Sequence, residues 1–253
     1  MIPNPILKVL STISCRGVKH LLMGGQACVF YGAAEFSRDC DIVIVADDEN
    51  LTRLNCAIAD LQAECIALPP YEREFWQRGH AIHFRCRQPD VSGIRLDIMT
   101  TMRGCDSFEK LWERRLSIQD EDGTVYELLG IEDLVKAKKT QRDKDWPMVQ
   151  RLVDSHYDQF QSDPTEDQVR FWLRESRTAE VLISIAKVNP RLCQEMSISR
   201  PLLADAVTGN VDLLTARLRE EESAERAADE QYWLPLKAEL NDLRAGRYDK
   251  NKP

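Results

Sequence analysis

A chain of 253 residues can be one elaborated domain or two modest ones, and either buries enough apolar surface to fold without disulfides or a structural metal. Its composition, 43% apolar and 30% charged, is that of an ordinary soluble protein, and no apolar run approaches the roughly 20 residues a membrane helix needs. A net charge of −8 and a pI near 5.2 argue against a protein that grips duplex nucleic acid with its whole surface, because neutralising phosphates takes a concentrated basic face; a local basic patch is still compatible with them.

The N-terminal stretch MIPNPILKVLSTISC has no basic start and no small-residue cleavage site, so it reads as an amphipathic helix rather than a signal peptide, and a cytoplasmic location follows. From His20, HLLMGG predicts a short apolar strand ending on two glycines, and QACVFYGAA a helix packed on a sheet. DCDIVIVADD has the composition of a central strand covered on both faces, with its acids at the entrance. Leu51, Leu54, Ile58 and Leu61 recur at three- and four-residue intervals and predict a helix from Glu49 to Cys65, after which Leu68-Pro69-Pro70 ends the unit.

Ala81 to Cys86 and Ile94 to Met99, joined through RQPDVSG, predict an antiparallel hairpin. A helix near Phe108 to Arg115 follows, then two short strands, Ser117 to Ile118 and Thr124 to Leu128, around the turn DEDG, then two amphipathic helices within GIEDLVKAKKTQRDKDWPMVQRLVDSHY. Beyond Asp163-Pro164 strand signals are few and the chain reads as four or so helices. The expected class is therefore α+β, a mixed sheet with flanking helices over residues 1–157 followed by an all-helical part over residues 158–253. LREEESAERAADEQ reads as a solvated helix face, and Arg247 to Pro253 are expected to fray.

The chemistry-bearing residues sit in the strands. Asp39 and Asp41 are two apart, so a strand presents both carboxylates on one side, where they can share a cation. Two anions beside an apolar strand repel each other and resist burial unless metal ions, arginines or water compensate them. Magnesium takes one or two protein carboxylates and fills its remaining positions with water and phosphate, which a strand-borne DxD suits. Asp97 interrupts GIRLDIM with Arg95 and Met99 on its own face and Leu96 and Ile98 on the other; if its strand lies beside that of Asp41, three carboxylates converge. Asp97 would then ligate a second metal or accept a proton from an attacking hydroxyl. Gly24-Gly25, between strand and helix, would let backbone N–H groups approach phosphate oxygens.

Lys136, Lys138, Lys139, Arg142 and Lys144 form a basic cluster that either neutralises a triphosphate or an RNA acceptor or is a solvated helix face; Lys139 and Arg142 are the choices for phosphate contact, and Asp145 pairs with a neighbouring base or caps the next helix. His80 and His83 make an HxxH, but on a strand this spacing puts them on opposite faces, wrong for joint zinc ligation, so they read as core or surface histidines. The five tryptophans are dispersed and read as packing residues, and the eight cysteines, with no CxxC pair, as buried thiols. No GxSxG, HExxH or P-loop pattern competes with the acids.

In order and spacing, GGQACVFYGAAEFSRDCDIVIV followed by IRLDIM resembles the nucleotidyltransferase superfamily, with its GG or GS turn, DxD strand and later third aspartate. The similarity covers about residues 18 to 157 and is nearest to the small bacterial branch of minimal, abortive-infection and toxin–antitoxin nucleotidyltransferases, where IEDLVKAKKTQRDKDWPMV also has a counterpart. The resemblance implies a nucleotidyltransferase-like sheet, and two magnesium ions held by Asp39, Asp41 and Asp97. It further implies a nucleoside triphosphate bound through Gly24, Gly25, Ser37, Arg38, Lys139 and Arg142, and attack by a hydroxyl on the α-phosphate with release of pyrophosphate. The acceptor would be RNA, protein or a small molecule. Relatives often carry an arginine three residues before the first aspartate, where this chain has Phe36. That departure motivates the alternative of a transferase-like nucleotide-binding module without turnover, acting with a protein partner in a two-component toxin–antitoxin or defence system; a third reading, an acid-bearing scaffold, is the least attractive.

Overall fold

Short apolar runs separated by turn residues in the first half of the chain become one mixed sheet. The structure, a computed structural model, describes residues 4–121 and 123–246. The stretch expected to fray, Arg247 to Pro253, and Asp122 of the DEDG turn lie outside the described residues. Helix α1 (Asn4–Cys15) is followed by strand β1 (His20–Met23), helix α2 (Gly24–Phe30), strand β2 (Asp39–Ile44), helix α3 (Asp48–Asp60) and the two-residue strand β3 (Glu64–Cys65). Helix α4 (Arg73–Gln77), strands β4 (Ile82–Arg85) and β5 (Arg95–Met99), helix α5 (Phe108–Glu113), strands β6 (Leu116–Gln119) and β7 (Val125–Leu128) and helix α6 (Ile131–Lys138) complete the sheet-bearing part.

The seven strands run in the order β3-β4-β5-β2-β1-β7-β6. β2 pairs parallel with β5 and antiparallel with β1, and β1 pairs parallel with β7, so β2 sits at the centre. Ile42, Val43 and Ile44 are fully buried, as a central strand covered on both faces requires. α1 closes one face: Ile6, Val9, Leu10 and Ile13, one stripe of the helix, are all buried, and the helix packs on β2, β7 and α3. The expected hairpin is present, β4 pairing antiparallel with β5.

Helix α3 is shorter than its periodicity predicts. Asp47 caps it by accepting from the Asn50 N–H at 2.7 Å. It stops at Asp60 rather than Cys65 because Gln62 takes a left-handed backbone (φ 48°), the Ala63 N–H bonds Ile58 O and the Gln62 N–H bonds Ala59 O, a Schellman end built without glycine. Glu64 and Cys65, released from the helix, pair with β4 as an edge strand.

The chain divides into two compact units, Met1–Ala137 with Tyr232–Pro253, and Lys138–Gln231. The boundary read from the sequence, after Tyr157, falls inside helix α7 (Trp146–Phe160). The second unit is helical: after α7 come α8 (Glu166–Glu175), α9 (Ala179–Val188), α10 (Pro190–Met196), α11 (Leu202–Thr208) and the long α12 (Val211–Arg244), whose last residues belong to the first unit. Beyond Asp163-Pro164 the described residues thus form five helices and no strand. Thr165 and Gln168 start α8 with a reciprocal capping box, and Phe171, Trp172, Leu182 and Leu203 lie in the unit's core. Among the described residues no helix is long and apolar enough to cross a membrane. All eight cysteines are free thiols, but Cys15, Cys56 and Cys65 are exposed rather than buried as expected.

Candidate functional site

The parallel pairing of β2 with β5 sets Asp39 opposite Arg95 and Asp41 opposite Asp97. The antiparallel pairing of β5 with β4 continues both rows, placing Arg85 opposite Arg95 and His83 opposite Asp97. Because side chains alternate along a strand, one face of the sheet carries the rows Asp41-Asp97-His83 and Asp39-Arg95-Arg85. The residues between them, Cys40, Leu96 and Phe84, form the corresponding row on the opposite face and are completely buried. The same alternation therefore builds core on one side and a polar surface on the other.

Behind Asp41 stands the glycine pair. Gly24 has φ +67°, and a Cβ there would lie 2.0 Å from Asp41 Oδ2 and 2.7 Å from Asp41 Cβ. A Cβ at Gly25 would lie 2.5 Å from Ser37 Oγ. Both positions exclude side chains because the start of α2 is pressed against β2 and the loop that enters it. That loop is pinned by the buried Gln26, whose Nε2 donates to Ser37 O at 2.8 Å. Ser37 thereby stays beside the glycine turn, with Phe36 and Arg38 on either side of it in sequence. Phe36 is 61% exposed, and the Arg38 guanidinium lies 6.0 Å from its ring.

Charge on this face is unevenly matched. Arg95 Nε donates to Asp97 Oδ1 at 2.8 Å, and His83 Nδ1 lies 2.9 Å from the same oxygen and 3.1 Å from Arg95 Nη2. His83 Nδ1 can serve one of those neighbours at a time, donating to the carboxylate or accepting from the guanidinium. The hydrogen bond to Asp97 raises the Arg95 pKa above its ordinary value against the cost of desolvation, and the charges of Asp97, Asp39 and Asp41 add to it. Beneath them burial pushes the Cys40 thiol well up, and the neighbouring acids push it further, so this cysteine is an inert core group. Asp39 and Asp41 are the donor type a hard cation takes. Among the described residues, however, no set of three or more His, Cys, Asp or Glu side chains is gathered closely enough to hold a metal.

Lys139 and Arg142 belong to the helical unit, where Lys139 pairs with the buried Glu175 at 2.5 Å and Arg142 with the buried Asp145 at 2.7 Å. Asp145 also accepts from Lys138 at 3.2 Å and Thr140 at 2.6 Å, and it makes no cap bond to α7. Burial pushes the Asp145 carboxyl up, but Lys138, Thr140 and Arg142 outweigh it and hold the pKa below the ordinary value. Lys136 pairs with Asp133 at 3.6 Å. The helical unit has its own cleft of about 270 Å³, on which Trp146 borders under the guanidiniums of Arg177 and Arg226, 5.0 and 5.8 Å from its ring. Trp146 is buried with its N–H on Thr140 O, which makes it a packing residue, as its dispersal in the sequence predicts.

His83 is a site residue that the HxxH spacing does not reveal. Its HxxH companion, His80, precedes β4, is buried and bonds Glu239 at 2.8 Å. The alternation of IHFR in β4 already puts His83 and Arg85 on one face; the register with β5 then brings His83 to Asp97.

Neither a family model nor a curated protein matches the chain. Among solved structures it is similar to an H. pylori protein provisionally assigned as a nucleotidyltransferase, at 14% identity over 90% of this chain and 94% of that one, with a TM-score of 0.39. It is also similar to JHP933 from Helicobacter pylori, at 14% identity over 94% of this chain and 99% of that one, with a TM-score of 0.34.

Proposed function

We propose that the chain is a magnesium-dependent nucleotidyltransferase that moves a nucleoside monophosphate from a nucleoside triphosphate to a hydroxyl acceptor and releases pyrophosphate. The observation that carries this reading is the register that sets Asp41 opposite Asp97, with Asp39 on the same face and Gly24 closed against Asp41. Asp39 and Asp41, with Asp97 beside them, would hold two magnesium ions, each taking only one or two carboxylates and completing its shell with water and phosphate, so that no three acids need gather on one ion; when bound, the ions neutralise the triphosphate and polarise the phosphorus under attack. Gly24 and Gly25, whose missing side chains let the turn close on Asp41 and Ser37, would turn their backbone N–H groups to phosphate, and Arg38 supplies an exposed guanidinium at the same edge. Asp97 accepts the proton of the acceptor hydroxyl as its oxygen bonds the α-phosphorus. The bond from the α-phosphorus to the bridging oxygen breaks, and pyrophosphate leaves with the electron pair. Lys139 and Arg142 are each held by a carboxylate of their own unit, Glu175 and Asp145, so the reading assigns the phosphate contact to Arg38 first.

Release of pyrophosphate from each ribonucleoside triphosphate with magnesium, compared among the native chain, Asp39→Asn and Asp41→Asn, tests the site; equal rates in all three sink it. The acceptor, whether RNA, protein or a small molecule, is identified by the same assay with labelled nucleotide, and the reaction is placed in the cytoplasm.

A second reading is favoured by the Arg95 and His83 contacts that already engage Asp97, and by Phe36 where relatives often carry arginine. In it the chain binds nucleotide without turning it over and works with a protein partner in a two-component toxin–antitoxin or defence system. Tight nucleotide binding with no transfer, together with a co-purifying second protein, supports it; turnover by the isolated chain removes it.

A further inference from the structure

Three carboxylates on one sheet face repel one another, and something in the chain itself must offset that repulsion when no metal is bound. Arg95 is placed to do so. It lies two residues before Asp97 on the same strand face and directly opposite Asp39 in the β2–β5 register. Its Nε bonds Asp97 Oδ1 at 2.8 Å, and all three acids favour its charge. Arg85, opposite it on β4, is exposed and, among the described residues, makes no ion pair to the three acids. Arg95 itself is 39% exposed, whereas Asp97 is only 13% exposed, so the arginine has freedom to leave that the carboxylate lacks.

We infer that Arg95 is a resident counter-cation of the acidic face, which ties up Asp97 in the metal-free chain, competes with divalent metal for it, and turns to the phosphates of the incoming nucleotide when metal takes its place. The inference rests on the reading of this face as a metal and nucleotide site. It accounts for Asp97 being bonded to a guanidinium in a set of acids otherwise suited to a hard cation. A guanidinium is fitted to both states: its planar fork holds a carboxylate in one and a phosphate in the other.

The test is direct binding of Mn2+, without nucleotide, to the full chain and to Arg95→Met and Arg95→Gln. Arg95→Gln keeps a hydrogen-bond donor for Asp97 without the charge, so it remains informative should Arg95→Met fail to fold. Both variants should bind Mn2+ about fivefold more tightly than the native chain, the scale of losing one partly exposed competing ion pair. They should also melt at lower temperature without metal, with Mn2+ restoring much of the loss, and show a raised KM for nucleotide. Equal Mn2+ affinity in the native chain and both variants overturns the inference while the metal site stands. Absence of Mn2+ binding from the native chain and both variants overturns the inference and the metal reading together.

Discussion

The acidic face of the sheet and the basic stretch that follows α6 are both dense in charge, yet the two have opposite internal economies. In the basic stretch each cation that the sequence singled out for phosphate has a carboxylate of its own unit: Lys139 has Glu175, Arg142 has Asp145 and Lys138 shares Asp145. On the sheet face Asp39, Asp41 and Asp97 share their rows with Arg95, Arg85 and His83, and Arg95 and His83 meet on one oxygen of Asp97. Charges buried in pairs hold a fold in place, whereas acids gathered on a partly exposed sheet face beside a glycine turn are placed to meet something that arrives from outside. Burial and placement, rather than the number of charges, distinguish the two clusters.

The largest expected effect is on the acidic face. Asp41→Asn should lower pyrophosphate release by about a thousandfold or more, the scale on which removal of one transition-state charge contact acts, with a melting temperature no lower than native. Lys139→Met should do the reverse: it strands the buried Glu175 with the longer contact to Arg174, at 3.4 Å, and should cost about 2–3 kcal/mol in urea unfolding. Its kcat/KM, measured where the variant is folded, should stay native. A Lys139→Met chain of full stability and collapsed activity would reverse the roles assigned to the two regions.

Gly24→Ala breaks the link between the glycine turn and the acids. Its Cβ would overlap Asp41 and its left-handed backbone disfavours alanine, so the variant should lose about 2–3 kcal/mol of stability together with activity. Gly93, also left-handed but with open space around it, should tolerate alanine with only the backbone cost of about 1 kcal/mol and full activity. Equal losses at both positions would show that the Gly24 contact with Asp41 is incidental.

Acid sensitivity sharpens the structural side. The folded Asp145 carboxyl titrates below its ordinary 3.8, so its paired form contributes stability that is present above that value and lost as pH falls through the lowered folded one. Denaturant unfolding between pH 6 and about pH 3 should therefore show a stability drop in the native chain that is smaller in Asp145→Asn. An unchanged drop would remove Asp145 from the list of groups that link this unit to pH.

Much of this was readable in the residues, and the unreadable remainder has definite causes. Period-two alternation alone places Asp39 with Asp41, and Arg95 with Asp97, and a branched apolar run marks β2 as central. What alternation cannot carry is register between strands more than fifty residues apart in the chain, on which the meetings of Asp41 with Asp97 depend. His83 needed a second register, β4 on β5, before it could be linked to Asp97. The end of α3 was hidden because a glutamine, not a glycine, takes the left-handed position at residue 62. The same division holds in the basic stretch: the pairing of Asp145 with Lys138 and Arg142 is local and was anticipated, while the Glu175 that neutralises Lys139 lies on another helix.

Arg142 gives the smallest effect and the finest discrimination. Its place in the basic cluster predicts a phosphate contact, and its side chain is 56% exposed, so its pairing with Asp145 is screened by water. Asp145 keeps Lys138 and Thr140 when Arg142 is removed. Arg142→Ala should therefore cost under about 1 kcal/mol of stability and leave the KM for nucleotide native. By contrast Arg38→Ala, at the edge of the acidic face and next to Ser37, should raise that KM by about fivefold through loss of one exposed phosphate contact. A raised KM in Arg142→Ala with a native one in Arg38→Ala would mean that Arg142 leaves its carboxylate when nucleotide binds, and that a matched ion pair can be held in reserve as a functional group.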